Sequence, residues 1–228
     1  MPQSFAVIIP AYNEDKTIYQ CMKDIRHSFP LETSIFVADN CSTDATACIA
    51  LKCGADVQKV AKRGKGFAVY RGLQSALGTS ADWFVLHDAD GEYCAKDVAS
   101  LLECVKNAGV DYPVMGVGLR QVALGHVLLR SVFANWFTKK LLQFRTKKEA
   151  PADILTGARI FNRKAVYALL GGDLPILGGF ELEAGITRRA LDKDVKIITA
   201  QVRYTPRSCG EKKISAWDLF PIARIALA

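Results

Sequence analysis

The chain has 228 residues, half of them hydrophobic, and a formal net charge of +7 at pH 7. This length is enough to bury a core without disulfides or structural metal, and this composition excludes a disordered chain. The excess of basic residues favours an anionic partner such as a nucleotide, a nucleic acid or an acidic membrane surface.

Cysteine usage and the absence of targeting patterns narrow the compartment. The seven cysteines follow no CxxC or Cys/His ligand spacing, which predicts reduced thiols, most of them buried. No basic region precedes the short apolar run near the N-terminus, and no stretch approaches the ~18 apolar residues that span a bilayer. We therefore expect a soluble, cytoplasmic protein.

In the first 120 residues, β-rich runs alternate with segments of helical period. Strands are predicted at 5–10, 34–39, 55–60, 82–88 and 112–118, and helices at 14–28, 44–53, 66–77 and 96–108. This alternation predicts an α/β fold with a Rossmann-like, mostly parallel central sheet flanked by helices. Ligands of such sheets bind at the carboxyl ends of the strands.

After residue 120 the pattern changes. A long helix is predicted at 125–145, with bulky apolar residues on a wide face and basic residues among them. A buried helix is the ordinary interpretation, and a basic amphipathic helix at a membrane interface is the alternative. A strand at 156–162, a short helix, a helix at 178–194 and a strand at 195–204 follow, without any internal repeat.

Three carboxylates, namely Asp88, Asp90 and Glu92, lie at and just after the end of the strand predicted at 82–88. Mg²⁺ and Mn²⁺ bind carboxylate oxygens together with substrate phosphates, so a metal site is one interpretation. The other is a helix N-cap and an exposed turn, where aspartate and glycine are common.

Two further strand ends carry polar motifs. Asp39 ends the second strand, where its carboxylate can accept hydrogen bonds from a base or ribose. Ser42 or Thr43, with Asp44, is predicted to cap the next helix. Lys65 lies between two glycines just before a helix, an arrangement that favours phosphate, although the spacing is not that of a Walker loop.

Taken together, the motifs resemble glycosyltransferase family 2 enzymes with a GT-A fold, especially the dolichol- or polyprenyl-phosphate hexosyltransferase branch. The matching text is "VIIPAYNEDKTI", "VADNCSTDAT", "RGKGFAVYRGL", "DADGEY", "GVGLR", "TGARIFNRKAV", "GFELEAGITRRA" and "VRYTPRSCGEKKIS". The resemblance implies one catalytic domain over 1–228. Residues 1–120 would bind the nucleotide sugar, and 121–228 the acceptor, with an amphipathic helix and a C-terminal tail.

The resemblance also implies a site for a UDP- or GDP-hexose donor. The residues that it assigns to this donor are Pro10, Ala11, Tyr12, Glu14, Asp39, Lys65, Asp88 and Ala89. It further implies a divalent cofactor, Mg²⁺ or Mn²⁺, held by Asp88, Asp90 and Glu92 against the donor pyrophosphate. The family's usual "DDGS" is "DNCS" here, so Asn40 and Cys41 indicate a different base or sugar preference.

On the acceptor side, the resemblance implies inverting transfer of a hexose to a polyprenyl phosphate. Asp90 would be catalytic through the metal, and Arg120 would bring the two anions together. The residues predicted to contact the acceptor phosphate are Arg120, Arg130, Ser131, Arg159 and Arg207, and the resemblance places Asn135 in the same acceptor region. Arg130 departs from the family's spacing, because it directly precedes the serine.

The alternative acceptor is a glycan hydroxyl, as in polysaccharide or cell-envelope synthesis. A carboxylate must then take the hydroxyl proton, and Glu181 or Glu183 is the candidate catalytic base. Both are equally well explained as residues of an exposed helix face.

Because the resemblance calls for a lipid-borne acceptor, we expect peripheral association with the inner face of the cell membrane. A dinucleotide-dependent oxidoreductase would need a GxGxxG after the first strand, and the sequence has none there. Intact Asp88 and Asp90 argue against a non-catalytic sensor of nucleotide sugars. Nucleic-acid binding is not expected, since no module for it is recognisable.

Overall fold

The computed structural model describes residues 3–108, 111–122, 129–170, 179, 181–206 and 219–227. The strands are β1 (Phe5–Ala11), β2 (Ser34–Asp39), β3 (Asp56–Lys59), β4 (Trp83–Leu86), β5 (Val114–Val122), β6 (Arg159–Asn162) and β7 (Lys196–Tyr204). The helices are α1 (Ile18–Ser28), α2 (Thr46–Lys52), α3 (Lys65–Leu77), α4 (Ala95–Lys106), α5 (Leu129–Thr146), α6 (Arg163–Leu170), α7 (Leu182–Asp192) and α8 (Leu219–Leu227).

The described strands form one sheet of seven, in the order β3-β2-β1-β4-β6-β5-β7. Neighbouring strands are parallel except where β6 pairs antiparallel with β4 and with β5. The predicted α/β fold with a mostly parallel sheet is therefore confirmed. The boundary predicted at residue 120 falls inside β5, so strands from both predicted halves share this sheet.

The sheet topology brings distant motifs to one edge. Strands β1, β2, β4, β5 and β7 run in the same direction, so their carboxyl ends meet there, whereas β6 begins there. The loops after β1, β2 and β4, the last residues of β5 and the residues that precede β6 therefore surround a common region. This is the edge at which ligands of parallel sheets bind.

Apolar clusters cover both faces of the sheet. Along β4, Trp83 and Val85 belong to a cluster with α1, α2 and α4, while Phe84 and Leu86 belong to one with α3, α6 and α7. All four are buried. A strand buried on both faces is typical of parallel sheets, and it explains the uninterrupted apolar run in the sequence.

The long predicted helix exists as α5, and it is only partly buried. Leu142 packs in a third cluster with residues of α7 and α8, including Leu191 and Ile222. On the solvent side, Val132, Phe133, Trp136 and Phe144 of α5 are 53–70% exposed, and Phe220 of α8 is 83% exposed. Within the described ranges, none of the helices has the length and apolar character needed to cross a bilayer.

Two local predictions were wrong. The first helix begins at Ile18 rather than near residue 14, because the residues before it form the loop after β1. Of the six described cysteines, only Cys21 is buried, while Cys41, Cys48 and Cys104 are exposed.

A glycine on α3 allows close packing against β1. A Cβ atom at Gly72 would lie 2.5 Å from Cγ2 of Ile8, whose side chain is fully buried and cannot move aside. We expect Gly72→Ala to lower the free energy of unfolding by about 1–3 kcal/mol through overpacking, despite the better helix propensity of alanine. Urea denaturation measures this change. Gln74→Ala, on the exposed side of the same helix, is the control, and an equally stable Gly72→Ala would contradict the packing.

Candidate functional site

The loop after β1 is held by the loop after β2. Asn13, at φ 51°, donates its backbone N–H to Ser42 Oγ (3.0 Å), and its Oδ1 accepts the N–H of Thr43 (2.8 Å). Ser42 and Thr43 therefore bind the neighbouring loop instead of capping α2 as predicted. The N-cap position is Ala45, but Asp44 does bind the start of α2, because its Oδ1 accepts the backbone N–H of Thr46 (2.9 Å).

The predicted base-binding residues lie at this junction. Asp39 is buried at the end of β2, and its Oδ1 accepts the N–H of Ser42. Asn40 accepts the N–H of Gly64 (3.0 Å), which connects the loop to the start of α3. The guanidinium of Arg63 lies 4.0 Å from the centre of the Tyr12 ring. The Tyr12 ring and the positively charged guanidinium of Arg63 thus lie together at the loop that is predicted to bind the base.

A partly buried ion cluster forms the centre of the site. Lys65 Nζ lies 2.9 Å from Asp88 Oδ1 and 2.9 Å from Glu183 Oε1. These residues come from the first turn of α3, the loop after β4 and the first turn of α7. The ammonium group thus joins the predicted donor motif "DAD" to a helix of the second half.

Electrostatics and packing both fix this cluster. Burial lowers the pKa of Lys65, but the charges of Asp88 and Glu183 outweigh burial and raise its pKa well above the usual value. Beside them, a Cβ atom at Gly157 would overlap Asp88 Oδ2 and lie 3.2 Å from Lys65 Nζ. Only glycine therefore leaves the Asp88 carboxylate in this position. A cavity of about 10 Å³ adjoins the cluster, which is room for roughly one water molecule.

The three predicted metal ligands do not converge. Asp88 binds Lys65, Asp90 Oδ1 accepts the N–H of Glu92 (3.1 Å), and the Glu92 carboxylate hydrogen-bonds to Tyr204. In the described ranges, no three His, Cys, Asp or Glu side chains are grouped to hold a metal. The donor set still fits a hard cation, because Mg²⁺ needs only one or two protein carboxylates when substrate phosphates complete its shell.

Arg120 lies on β5 at the same edge and forms a bidentate ion pair with Asp153. Its Nε lies 2.7 Å from Asp153 Oδ2, and its Nη2 lies 2.8 Å from Oδ1. Burial lowers the pKa of Arg120, but Asp153 raises it above the ordinary arginine value, so the charge is permanent. The guanidinium also lies 5.5 Å from the ring centre of Tyr204.

Arg159 is placed differently from its predicted role. It is 1% exposed, and its guanidinium donates to the carbonyl oxygens of Ile154 (2.6 Å) and Glu183 (3.1 Å) and to Thr187 Oγ1 (3.0 Å). Burial lowers the pKa of Arg159 to about 10. Since these protein acceptors occupy the guanidinium, its placement opposes the predicted contact with an acceptor phosphate.

Several other predicted site residues are buried in the protein or hydrogen-bonded to neighbouring protein groups. The Ala89 side chain is in the core, so only its backbone is available to a donor. Glu14 is buried, donates its N–H to Thr46 Oγ1 and accepts from Thr17 Oγ1. Glu181 accepts the N–H of Gly179 (3.1 Å).

The remaining predicted positions lie at the end of β1, in α5 or outside the described residues. Pro10 and Ala11 end β1 next to the base loop. Ser131 is partly exposed in the first turn of α5, next to Arg130, for which only the backbone is described. Arg207 lies outside the described residues.

Sequence reasoning missed two residues that organise the site. Tyr93 accepts the N–H of Gly157 (2.8 Å) on its hydroxyl, and burial raises its pKa above the usual value. Asp153 pairs with Arg120 across 33 positions of the chain. The available signals were a tyrosine directly after the acidic motif and an aspartate four residues before Gly157.

Comparison with known proteins agrees with the geometry. The family model "Glycosyl transferase family 2" matches residues 6–170. A polyprenol monophosphomannose synthase of Mycolicibacterium smegmatis is 28% identical over 233 residues, which cover 95% of this chain and 83% of that protein. Protein RfbJ of Shigella flexneri is 37% identical over 118 residues, or 52% of this chain and 86% of RfbJ.

Solved structures share the fold. The glucosyl-3-phosphoglycerate synthase of Mycobacterium tuberculosis, in complex with Mn²⁺, uridine diphosphate and phosphoglyceric acid, aligns with a TM-score of 0.72 at 20% identity. The alignment covers 97% of this chain and 75% of that one. From the family match, the sheet and the arrangement at its carboxyl edge, we conclude that this chain belongs to glycosyl transferase family 2 and is a glycosyltransferase with the GT-A fold.

Proposed function

We propose that the protein transfers a hexose from a nucleotide-diphosphate sugar to a polyprenyl phosphate, with inversion, at the cytoplasmic face of a membrane. The observation that carries this proposal is the similarity to a polyprenol monophosphomannose synthase over 95% of the chain. A permanently charged arginine at the edge where the donor motifs meet is consistent with an anionic acceptor.

The donor half would bind the nucleotide with the two interlocked loops. The Asp39 carboxylate would accept an N–H of the base, which both uracil and guanine offer, and the Tyr12 ring with Arg63 would border the base. Backbone N–H groups at the start of α3 would face the phosphates. Because hydrogen bonds between the loops fix these groups before the donor arrives, little ordering cost remains for binding.

Asp90 and Asp88 would hold a divalent ion, Mg²⁺ or Mn²⁺, together with the donor diphosphate. When bound, this ion would act as a Lewis acid that neutralises the leaving nucleoside diphosphate. Lys65 would supply a second positive charge next to Asp88. A carboxylate motif and a lysine would thus share the stabilisation of the departing charge.

The nature of the acceptor decides whether a base is needed. A phosphate oxygen is already anionic at neutral pH, so Arg120 need only bind and orient it. A glycan hydroxyl would need a carboxylate to take its proton. Glu183 already forms an ion pair with the ammonium group of Lys65, so its carboxylate is engaged rather than free to act as a base. This favours the phosphate acceptor, and the glycan hydroxyl remains the alternative.

The exposed face of α5 and α8 would contact the membrane. It consists of Val132, Phe133, Trp136, Phe144 and Phe220. Lys140 and Arg145 lie exposed on α5, and the exposed Lys147 just after this helix lies 4.5 Å from the ring centre of Phe144. Aromatic rings beside basic side chains are typical of helices that bind at the interface of an anionic bilayer.

The decisive experiment measures nucleotide release by the purified protein from UDP- and GDP-hexoses, with Mn²⁺ or Mg²⁺, with and without a short polyprenyl phosphate. We expect metal-dependent release that rises sharply with the lipid phosphate, and about 100-fold slower release by Asp90→Asn. Glu32→Gln, at an exposed carboxylate outside the site, is the control. Release that rises with glycans instead would favour the alternative, and no metal-dependent release from any donor would contradict the proposal.

Arg120 tests the acceptor. We expect Arg120→Ala to lower turnover with polyprenyl phosphate by about 100-fold, because a charge-assisted contact with the phosphate is lost, while the Kd of the donor nucleotide changes little. Since this change leaves Asp153 uncompensated, Arg120→Ala with Asp153→Asn keeps the local charge balanced. Arg71→Ala, at an exposed arginine of α3, is the control. Unchanged turnover in the double variant would exclude this role.

Vesicle sedimentation tests the membrane face. We expect Phe133→Ser with Trp136→Ser to lower the partition coefficient onto anionic vesicles by about tenfold or more, because two exposed rings no longer enter the interface. Leu31→Ser, at a residue that is 84% exposed elsewhere, is the control for general loss of surface hydrophobicity. Equal loss in both proteins would argue against a specific face.

A further inference from the structure

The segment 152–157, with the sequence "ADILTG", contacts both sides of the site. Its Asp153 forms the bidentate ion pair with Arg120, and Asp153 Oδ2 also accepts the backbone N–H of Arg120 (3.2 Å). At its other end, Gly157 lies against the Asp88 carboxylate. The position of this segment therefore determines where the acceptor arginine lies and how closely the backbone approaches Asp88.

The segment lies outside the regular helices and strands, so its buried backbone groups need partners from side chains. Asn135 of α5 supplies three of these contacts. Its Oδ1 accepts the N–H groups of Ile154 (2.7 Å) and Leu155 (3.2 Å), and its Nδ2 donates to the carbonyl oxygen of Ala152 (2.6 Å). One amide side chain thus binds the backbone on both sides of Asp153.

The other anchors hold the middle of the segment and its Gly157 end. Arg159 donates to the carbonyl oxygens of Ile154 and Thr156, and the Tyr93 hydroxyl accepts the N–H of Gly157. These anchors come from β6 and from the loop before α4. Asn135 instead comes from α5, the helix with the exposed aromatic face, and it contacts the end of the segment nearest to Asp153.

We propose that Asn135 is a positioning residue for acceptor binding: it fixes the backbone around Asp153, and Asp153 in turn fixes the guanidinium of Arg120. This inference rests on the proposed transfer to a phosphate acceptor. Without the Asn135 side-chain amide, the N–H groups of Ile154 and Leu155 lose the oxygen atom that accepts them. The carboxylate of Asp153 is then no longer held in position against Arg120. Tyr93 and Arg159 still hold the end that contacts Asp88, so the donor side is largely preserved.

Steady-state kinetics with a short polyprenyl phosphate separates positioning from a general loss of stability. We expect Asn135→Ala to raise the KM for the lipid phosphate about tenfold, the effect of losing hydrogen bonds that order Arg120. Both kcat and the KM for the nucleotide sugar should stay within about threefold. A merely structural role would lower kcat with the fraction of folded protein, and that result, or an unchanged acceptor KM, would overturn the proposal.

Amide hydrogen exchange tests the contact independently of any reaction. We expect the N–H groups of Ile154 and Leu155 to exchange at least about tenfold faster in Asn135→Ala, while the amides of β1 and β4 are unchanged. Asn135→Asp keeps an oxygen acceptor for both amides and should recover part of the protection and of the acceptor KM. Gln143→Ala, at another amide side chain of α5, is the control.

The two readouts distinguish failure of this inference from failure of the proposed function. Faster exchange in Asn135→Ala, in a protein that turns over a glycan and ignores lipid phosphate, would refute the phosphate acceptor, and with it the role in acceptor binding. Unchanged exchange at Ile154 and Leu155 would refute the role of Asn135, whatever the acceptor.

Discussion

The arrangement depends on one ammonium group between two carboxylates. Lys65, Asp88 and Glu183 come from three elements that meet at the carboxyl edge of the sheet, and each charge would be costly to bury alone. The lysine offsets the repulsion between the two acids and joins the start of α3 and the loop after β4 to α7. Because Gly157 has no side chain, the backbone before β6 can close over this cluster. The proposed donor binding would therefore take place around a charge network that already exists.

The arginines at this edge have two different roles, although their chemistry is the same. Arg159 is buried and binds backbone carbonyl groups, so it stabilises the segment before β6. Arg120 also binds a carboxylate of that segment, but it lies in the last residues of β5, beside Tyr204 and at the edge shared with the donor motifs. A protein that brings two anions together needs cations that are fixed in advance, and a paired arginine is held more firmly than one on a mobile loop.

The fold and the donor edge were predictable because they depend on local patterns. Apolar runs such as 83–86 identified the strands, and the motifs that follow them necessarily meet where parallel strands end. The contacts between Lys65 and Glu183, and between Arg120 and Asp153, join residues far apart in the chain, and no local period encodes them. For the same reason the buried position of Arg159 could not be distinguished from an exposed one. The exposure of α5 depends on what packs against it, which sequence periodicity leaves open.

The shared cluster also has a consequence for divergence within the family. Positions 65, 88 and 183 carry linked charges, and position 157 has room only for a hydrogen atom, so a change at one of them is tolerated only together with changes at the others. Since these positions lie on both sides of residue 120, the two predicted halves cannot evolve as independent modules. A chimera that joins the first half of one family member to the second half of another should be active only when both parents have the same residues at all four positions.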